Sequence, residues 1–157
     1  MKKLYCYILI LIISVFLLSG CSNEQTKGWT DNDLYGTFET THFTTQELDL
    51  TDFNKKFVKI LNATIIDITY NLQTSNAIIQ VYNCGEEVNN YLPHFHAVLY
   101  TDIPYYKQQY EIEDVVSFEG FIFYTEISEQ NRFIDFPFGT YYAAYRFDIS
   151  PAIIINN

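Results

Sequence analysis

Phe57-Val58-Lys59-Ile60-Leu61-Asn62-Ala63-Thr64-Ile65-Ile66-Asp67-Ile68-Thr69-Tyr70 decides the fold class of this 157-residue chain. Side chains alternate between two faces along a strand. Val58, Ile60, Ile66, Ile68 and Tyr70 share one parity, while Leu61, Ala63 and Ile65 share the other. A single long strand whose buried face changes midway needs a bulge or a strong bend. Asn62-Ala63 is where the change falls.

Reading toward the C-terminus, residues 71–76 are polar and make a hairpin loop. Residues 77–84 form a second strand with Ile79 and Val81 on one face, broken by Gly85-Glu86-Glu87. Phe95, Ala97 and Leu99 give a third, with His94, His96, Val98 and Tyr100 on its other face; Asp102-Ile103-Pro104 ends it. Residues 105–114 hold a short helix on the i,i+4 pair Tyr106 and Tyr110. Residues 115–127 are a fourth strand, with Gly120 placed for a bulge or a close approach. Residues 129–139 read as a loop. Tyr141, Ala143, Tyr145, Phe147 and Ile149 alternate as a fifth strand, stopped by Pro151, after which Ile153-Ile154-Ile155 adds a short edge strand. Residues 34–50 are mixed, with a short strand at 37–40 and a helix start or turn at 44–47.

Five strands, a bent first strand and a helix between strands three and four resemble the OB-fold, the small five-stranded Greek-key barrel. The resemblance covers about residues 55–127. It is sharpest at Tyr110-Glu111-Ile112-Glu113-Asp114-Val115-Val116-Ser117-Phe118-Glu119-Gly120. OB-folds often enter strand four with Gly-Asp, then alternating β residues, then Gly; Glu113 stands here in place of the first glycine. The expectation is an all-β chain with a five-stranded OB-like barrel. Another small β-barrel or sandwich is the alternative.

The N-terminus carries a different message. Met1-Lys2-Lys3 is a positive start, residues 4–18 are an apolar run of about 15, and Ser19-Gly20 follow. That is the layout of a secretory signal, shorter than the roughly 20 residues that span a bilayer core. Leu18-Ser19-Gly20-Cys21 resembles the lipobox of bacterial lipoproteins. The resemblance implies a cleaved signal peptide (1–20) and diacylation of the Cys21 thiol. Residues 21–32 are then a polar tether, and residues 33–157 one β-rich domain. Ser22 carries no acidic retention mark. The expected address is the cell envelope: the outer membrane facing the periplasm if there is one, or the outer face of a single cell membrane.

Residues 1–20 hold two of the nine Lys and Arg and none of the 19 acids, so the mature chain carries a net charge of −12. Such a chain does not supply the phosphate neutralisation on which nucleic-acid affinity rests, and acylated Cys21 is the expected link to the bilayer. Cys6 lies in the signal and Cys21 takes the lipid. That leaves Cys84 without an intramolecular partner, either as a buried structural thiol or as an exposed one that pairs between chains.

Chemistry-bearing patterns are few. His94-x-His96 puts two imidazoles on one strand face, as a metal pair needs, or as two polar residues on a solvated face. No Gly-x-Ser-x-Gly, phosphate loop, dinucleotide fingerprint or calcium loop is present, so no cofactor and no enzyme activity are expected. Glu111 and Glu113 read as solvated charge. Tyr82, Tyr100 and Tyr124 offer faces on which a base or sugar stacks. Arg132, Phe133, Phe136 and Phe138 crowd an expected loop, either as contacts for a partner or folded back as a lid. The leading reading is a non-enzymatic envelope module for a protein or glycan. A metal-handling lipoprotein using His94 and His96 comes second, and a small enzyme third.

Overall fold

The computed structural model describes residues 34–45, 48–71, 73–74, 76–87, 92–104, 107, 109–137 and 139–155. The signal, Cys21, the whole tether and Phe138 lie outside the described residues. Strand β1 (Leu34–Glu39) leads into helix α1 (Thr40–Thr44) and a 3-10 turn (Leu50–Phe53). Then follow β2 (Phe57–Tyr70), β3 (Asn76–Cys84), β4 (His94–Pro104), β5 (Val115–Glu126), β6 (Phe133–Phe136), β7 (Gly139–Tyr142) and β8 (Tyr145–Ile155).

β2 pairs antiparallel with β3 and also with β5. β3 pairs antiparallel with β4, β4 parallel with β8, and β8 antiparallel with β5. The ring β2-β3-β4-β8-β5 therefore closes on itself, and β1 adds a parallel strand beside β2. This is a small five-stranded OB-like barrel, and closure removes the sheet edges that an open five-stranded sheet would expose.

The bend in β2 lets one strand serve both sides of the ring. Its register with β5 slips between Ile60 and Ala63, at Asn62, whose φ is +58°. Asparagine tolerates that left-handed conformation better than most side chains. Asn62 Nδ2 donates to Glu39 Oε2 at 2.5 Å, and its carbonyl accepts from Thr40 Oγ1 at 3.0 Å. The slip turns Val58 and Ile60, then Ala63 and Ile65, all into the core. A second slip, between Ile65 and Asp67, restores the first parity for Ile68 and Tyr70. A single bulge does not reconcile that pattern; two do.

The N-terminal stretch has a role its sequence did not announce, and the expectations for residues 105–114, 129–139 and Pro151 need correction. The barrel end is plugged from the N-terminal side: Phe43 of α1 packs 4.9 Å from Phe95 and 5.3 Å from Phe53 of the 3-10 turn. Residues 105–114 show no α-helix among those described; Lys107 is in a 3-10 conformation and Ile112-Glu113 form a turn. Residues 129–139 are not one loop, because they carry a 3-10 turn (Glu129–Asn131) and β6, which pairs with β7. Nor does Pro151 end the last strand. β8 runs to Ile155, and its ladders with β4 and β5 both skip Ser150 and Pro151. The missing proline N–H thus removes no ladder bond.

Gly120 answers to close approach. A Cβ there would stand 2.5 Å from the Pro151 carbonyl oxygen and 2.6 Å from Ile149 Cγ2, and the β5–β8 register slips between Gly120 and Ile122. Glu113 has a φ of +77°. The left-handed turn that favours glycine is kept where the glycine itself is not.

Candidate binding face under the β6–β7 hairpin

β4 is buried on both faces over its first six residues, from His94 to Leu99. Phe95, Ala97 and Leu99 point into the barrel core. His94, His96 and Val98 point outward, yet His94 is 0% and His96 1% exposed. The solvated histidine face is therefore not what the chain builds. The β6–β7 hairpin folds back over this side, and it belongs to a separate two-stranded sheet.

Tyr82 is the seat of the hairpin. It stands opposite His96 in the β3–β4 ladder and is buried, so it is not an open stacking platform. Tyr141 meets its ring edge-on at 4.9 Å, and its hydroxyl donates to the Tyr142 carbonyl at 2.7 Å. Burial pushes the phenol pKa well up, which keeps it protonated as a donor. The base of the hairpin is tied by Ala143 N donating to Arg132 O at 2.7 Å and Ile127 N to Ala144 O at 2.9 Å.

His94 lies between two tyrosine rings, Tyr145 at 4.4 Å and Tyr82 at 5.9 Å, with Tyr142 edge-on at 5.8 Å. Its Nδ1 lies 3.2 Å from Leu92 O and its Nε2 3.4 Å from Tyr145 O. Both nitrogens are thus engaged by backbone carbonyls. Burial lowers its pKa, against the two carbonyls, which favour the charged form. His96 makes one long contact, Nε2 to Gln80 Oε1 at 3.5 Å, and Gln80 Nε2 donates to Asp67 Oδ2 at 3.3 Å. His96 Nδ1 is buried without a hydrogen-bond partner among the described residues. Burial, then the nearby His94 and Arg146, push its pKa down to about 4. No group of three or more His, Cys, Asp and Glu side chains stands at metal-binding separation among the described residues.

The sequence-predicted contact residues divide. Phe133 is 73% exposed, in edge contact with Tyr142 at 5.5 Å. Phe136 is half-buried against Tyr141 at 5.5 Å. Arg132 is half-buried, with Nε lacking a hydrogen-bond partner among the described residues. Tyr100 sits further along the outer face of β4, partly exposed, its hydroxyl 3.4 Å from Asp148 Oδ1. Arg146 Nε approaches that same oxygen at 3.1 Å off the line of a hydrogen bond, and Nη2 donates to Oδ2 at 3.2 Å. Tyr124 packs on the core instead, stacked on Tyr145. Cys84 is exposed. Glu111 and Glu113 are exposed beside the turn, as read from their alternation.

Sequence reading missed Tyr141 and Tyr142, whose rings cover the face. A groove of about 520 Å³ opens between them and the β2–β3 side, lined also by Ile66, Tyr82, Cys84 and Ile112. What fold and site define is an acidic OB-like barrel with an aromatic hairpin closed over one outer face. No family model matches the chain, and no curated protein matches it in sequence.

Proposed function

We propose that this chain is a lipid-anchored envelope lipoprotein whose barrel is a non-enzymatic binding module for an envelope protein or glycan. The anchor rests on Leu18-Ser19-Gly20-Cys21 behind its apolar signal. Two or three acyl chains hold firmly where one holds marginally, and a mature charge of −12 offers anionic headgroups nothing else. Where the cell has an outer membrane, the module faces the periplasm from it. Where it has one membrane, the module faces outward.

The observation that carries the binding reading is Phe133, a large apolar ring 73% exposed on an ordered hairpin. Aromatic rings beside arginine are the usual anchors of protein interfaces, and Arg132 is the adjacent residue. The groove beside the hairpin falls within the size of small-ligand sites, and no Lys, Arg or His lines it among the described residues. That favours a protein or neutral glycan over a nucleic acid.

Affinity capture from crosslinked envelopes with the lipidated protein tests the reading. Phe133→Ser is expected to lose the captured partner while its denaturation midpoint stays within error of the parent. Capture of the same partners by Phe133→Ser would contradict a contact role for the hairpin.

A further inference from the structure

We propose that the β6–β7 hairpin is an acid-opened lid over the Tyr82–His94–His96 face of the barrel. The inference rests on the binding reading only for what the face is used for; the motion stands on geometry. The hairpin pairs four residues with four and joins no barrel strand. Two-stranded hairpins of this size are marginal alone. Beyond the backbone bonds at its base, its hold on the barrel among the described residues comes from Tyr141 on Tyr82, Tyr142 on His94, and the hydrogen bond from Tyr82 to the Tyr142 carbonyl.

The two imidazoles beneath differ in what a proton would do. His94 has a carbonyl at each nitrogen, so its charged form keeps two acceptors. His96 Nδ1 has none. The groups that face His96 are His94 on its own strand, Tyr82 and Gln80 on β3, and Arg146 on β8. None of them is an anion. Asp148 is already paired with Arg146, and Asp67 is reached only through Gln80. A buried imidazolium at His96 therefore needs water at Nδ1. The hairpin reaches His96 through Tyr82, whose ring lies 6.1 Å from that of His96 and 4.9 Å from that of Tyr141, so water gains His96 as the Tyr82–Tyr141 contact opens. Closed, His96 resists protonation down to about pH 4. Open and solvated, it titrates near its ordinary value of about 6.5. The open form takes up the proton first, so opening gains as pH falls from about 6.5 toward 4.

Amide hydrogen exchange on the full lipidated protein in detergent micelles, between pH 7.5 and 5.0 and corrected for intrinsic chemical rates, reads the lid directly. The opening constant for residues 133–142 should rise roughly thirty-fold, that two-and-a-half-unit difference evaluated at pH 5, and should stay above that of β2 to β5, whose amides open only with the whole fold. His96→Gln should abolish the rise and His94→Gln should keep it. A rise that persists in His96→Gln, hairpin amides that are no more open than those of the barrel strands, or no rise at all would overturn the proposal. Should His96→Gln not fold, NMR titration of the His96 ring in the parent decides. Loss of the Tyr82–Tyr141 contact in step with its titration supports the lid, and titration with that contact intact overturns it. The readout needs no ligand, so failure here is distinguishable from failure of partner capture.

Discussion

Tyr82 and Tyr142 lie 60 residues apart in the chain, and the hydroxyl of the first donates to the carbonyl of the second at 2.7 Å. That bond spans two otherwise separate sheets, the barrel and the hairpin. The same Tyr82 ring touches Tyr141 above and stacks with His94 beside it. One side chain thus couples the covering of the outer face to the burial of its imidazoles.

Tyr82→Phe should keep the ring contacts and lose the bond. Removing one partner of a buried hydrogen bond costs about 1–3 kcal/mol. Urea denaturation should register a loss in that range, with amide protection falling first in residues 139–142. Equal loss of protection across β3 and β4 would speak against a hairpin seated by this bond.

Glu113 adopts a left-handed φ of +77° at an exposed turn. A non-glycine residue there carries about 1–2 kcal/mol of strain, partly offset because glycine loses more chain entropy on folding. Glu113→Gly should therefore stabilise the barrel by about 0.5–1 kcal/mol in chemical denaturation. A destabilised variant would mean that the Glu113 side chain contributes more than its backbone costs.

Gly120→Ala should do the opposite. Its Cβ would meet backbone, the Pro151 carbonyl at 2.5 Å, which cannot rotate away as a side-chain tip would. Overpacking of this kind costs about 1–3 kcal/mol, so the urea midpoint should fall accordingly. An unchanged midpoint would show that β8 shifts freely at Pro151.

Two bulge sites were legible because they leave marks in the pattern, a parity change at Asn62-Ala63 and an isolated glycine at Gly120, whereas the second slip in β2, between Ile65 and Asp67, was not placed. The closed barrel followed from the same strands. The buried histidines were not legible. In His94-Phe95-His96-Ala97-Val98-Leu99, polar histidines alternate with apolar residues, which reads as one wet face. Tyr142 of β7 and Tyr145 of β8 cover His94, and Tyr82 of β3 and Arg146 of β8 face His96, and no local signal announces these partners. The hairpin was hidden by accidental alternation. Tyr141, Ala143 and Tyr145 keep one parity, yet the chain leaves β7 at Tyr142 and enters β8 at Tyr145. The expected helix at 105–114 rested on Tyr106, which lies outside the described residues, and Phe43 and Phe53, from a stretch of weak periodicity, pack into the core instead.

Stability should depend on pH through His96. Its folded pKa lies below the unfolded value of about 6.5, so the folded chain binds fewer protons than the unfolded one. The contribution is fully present above pH 6.5 and is lost as pH falls toward 4. Between pH 7 and 5 the parent should lose about 2 kcal/mol more than His96→Gln in urea denaturation. Parallel pH profiles for the two proteins would place the titration elsewhere.

The lipid anchor, on which the proposed address depends, is tested most directly by intact-mass and N-terminal peptide mass spectrometry of the protein made in a bacterial host. The predicted result is a mature chain beginning at Cys21 with a diacylglycerol mass on its thiol, absent in Cys21→Ala. A chain that retains residues 1–20, or that begins at an unmodified Cys21, would contradict it.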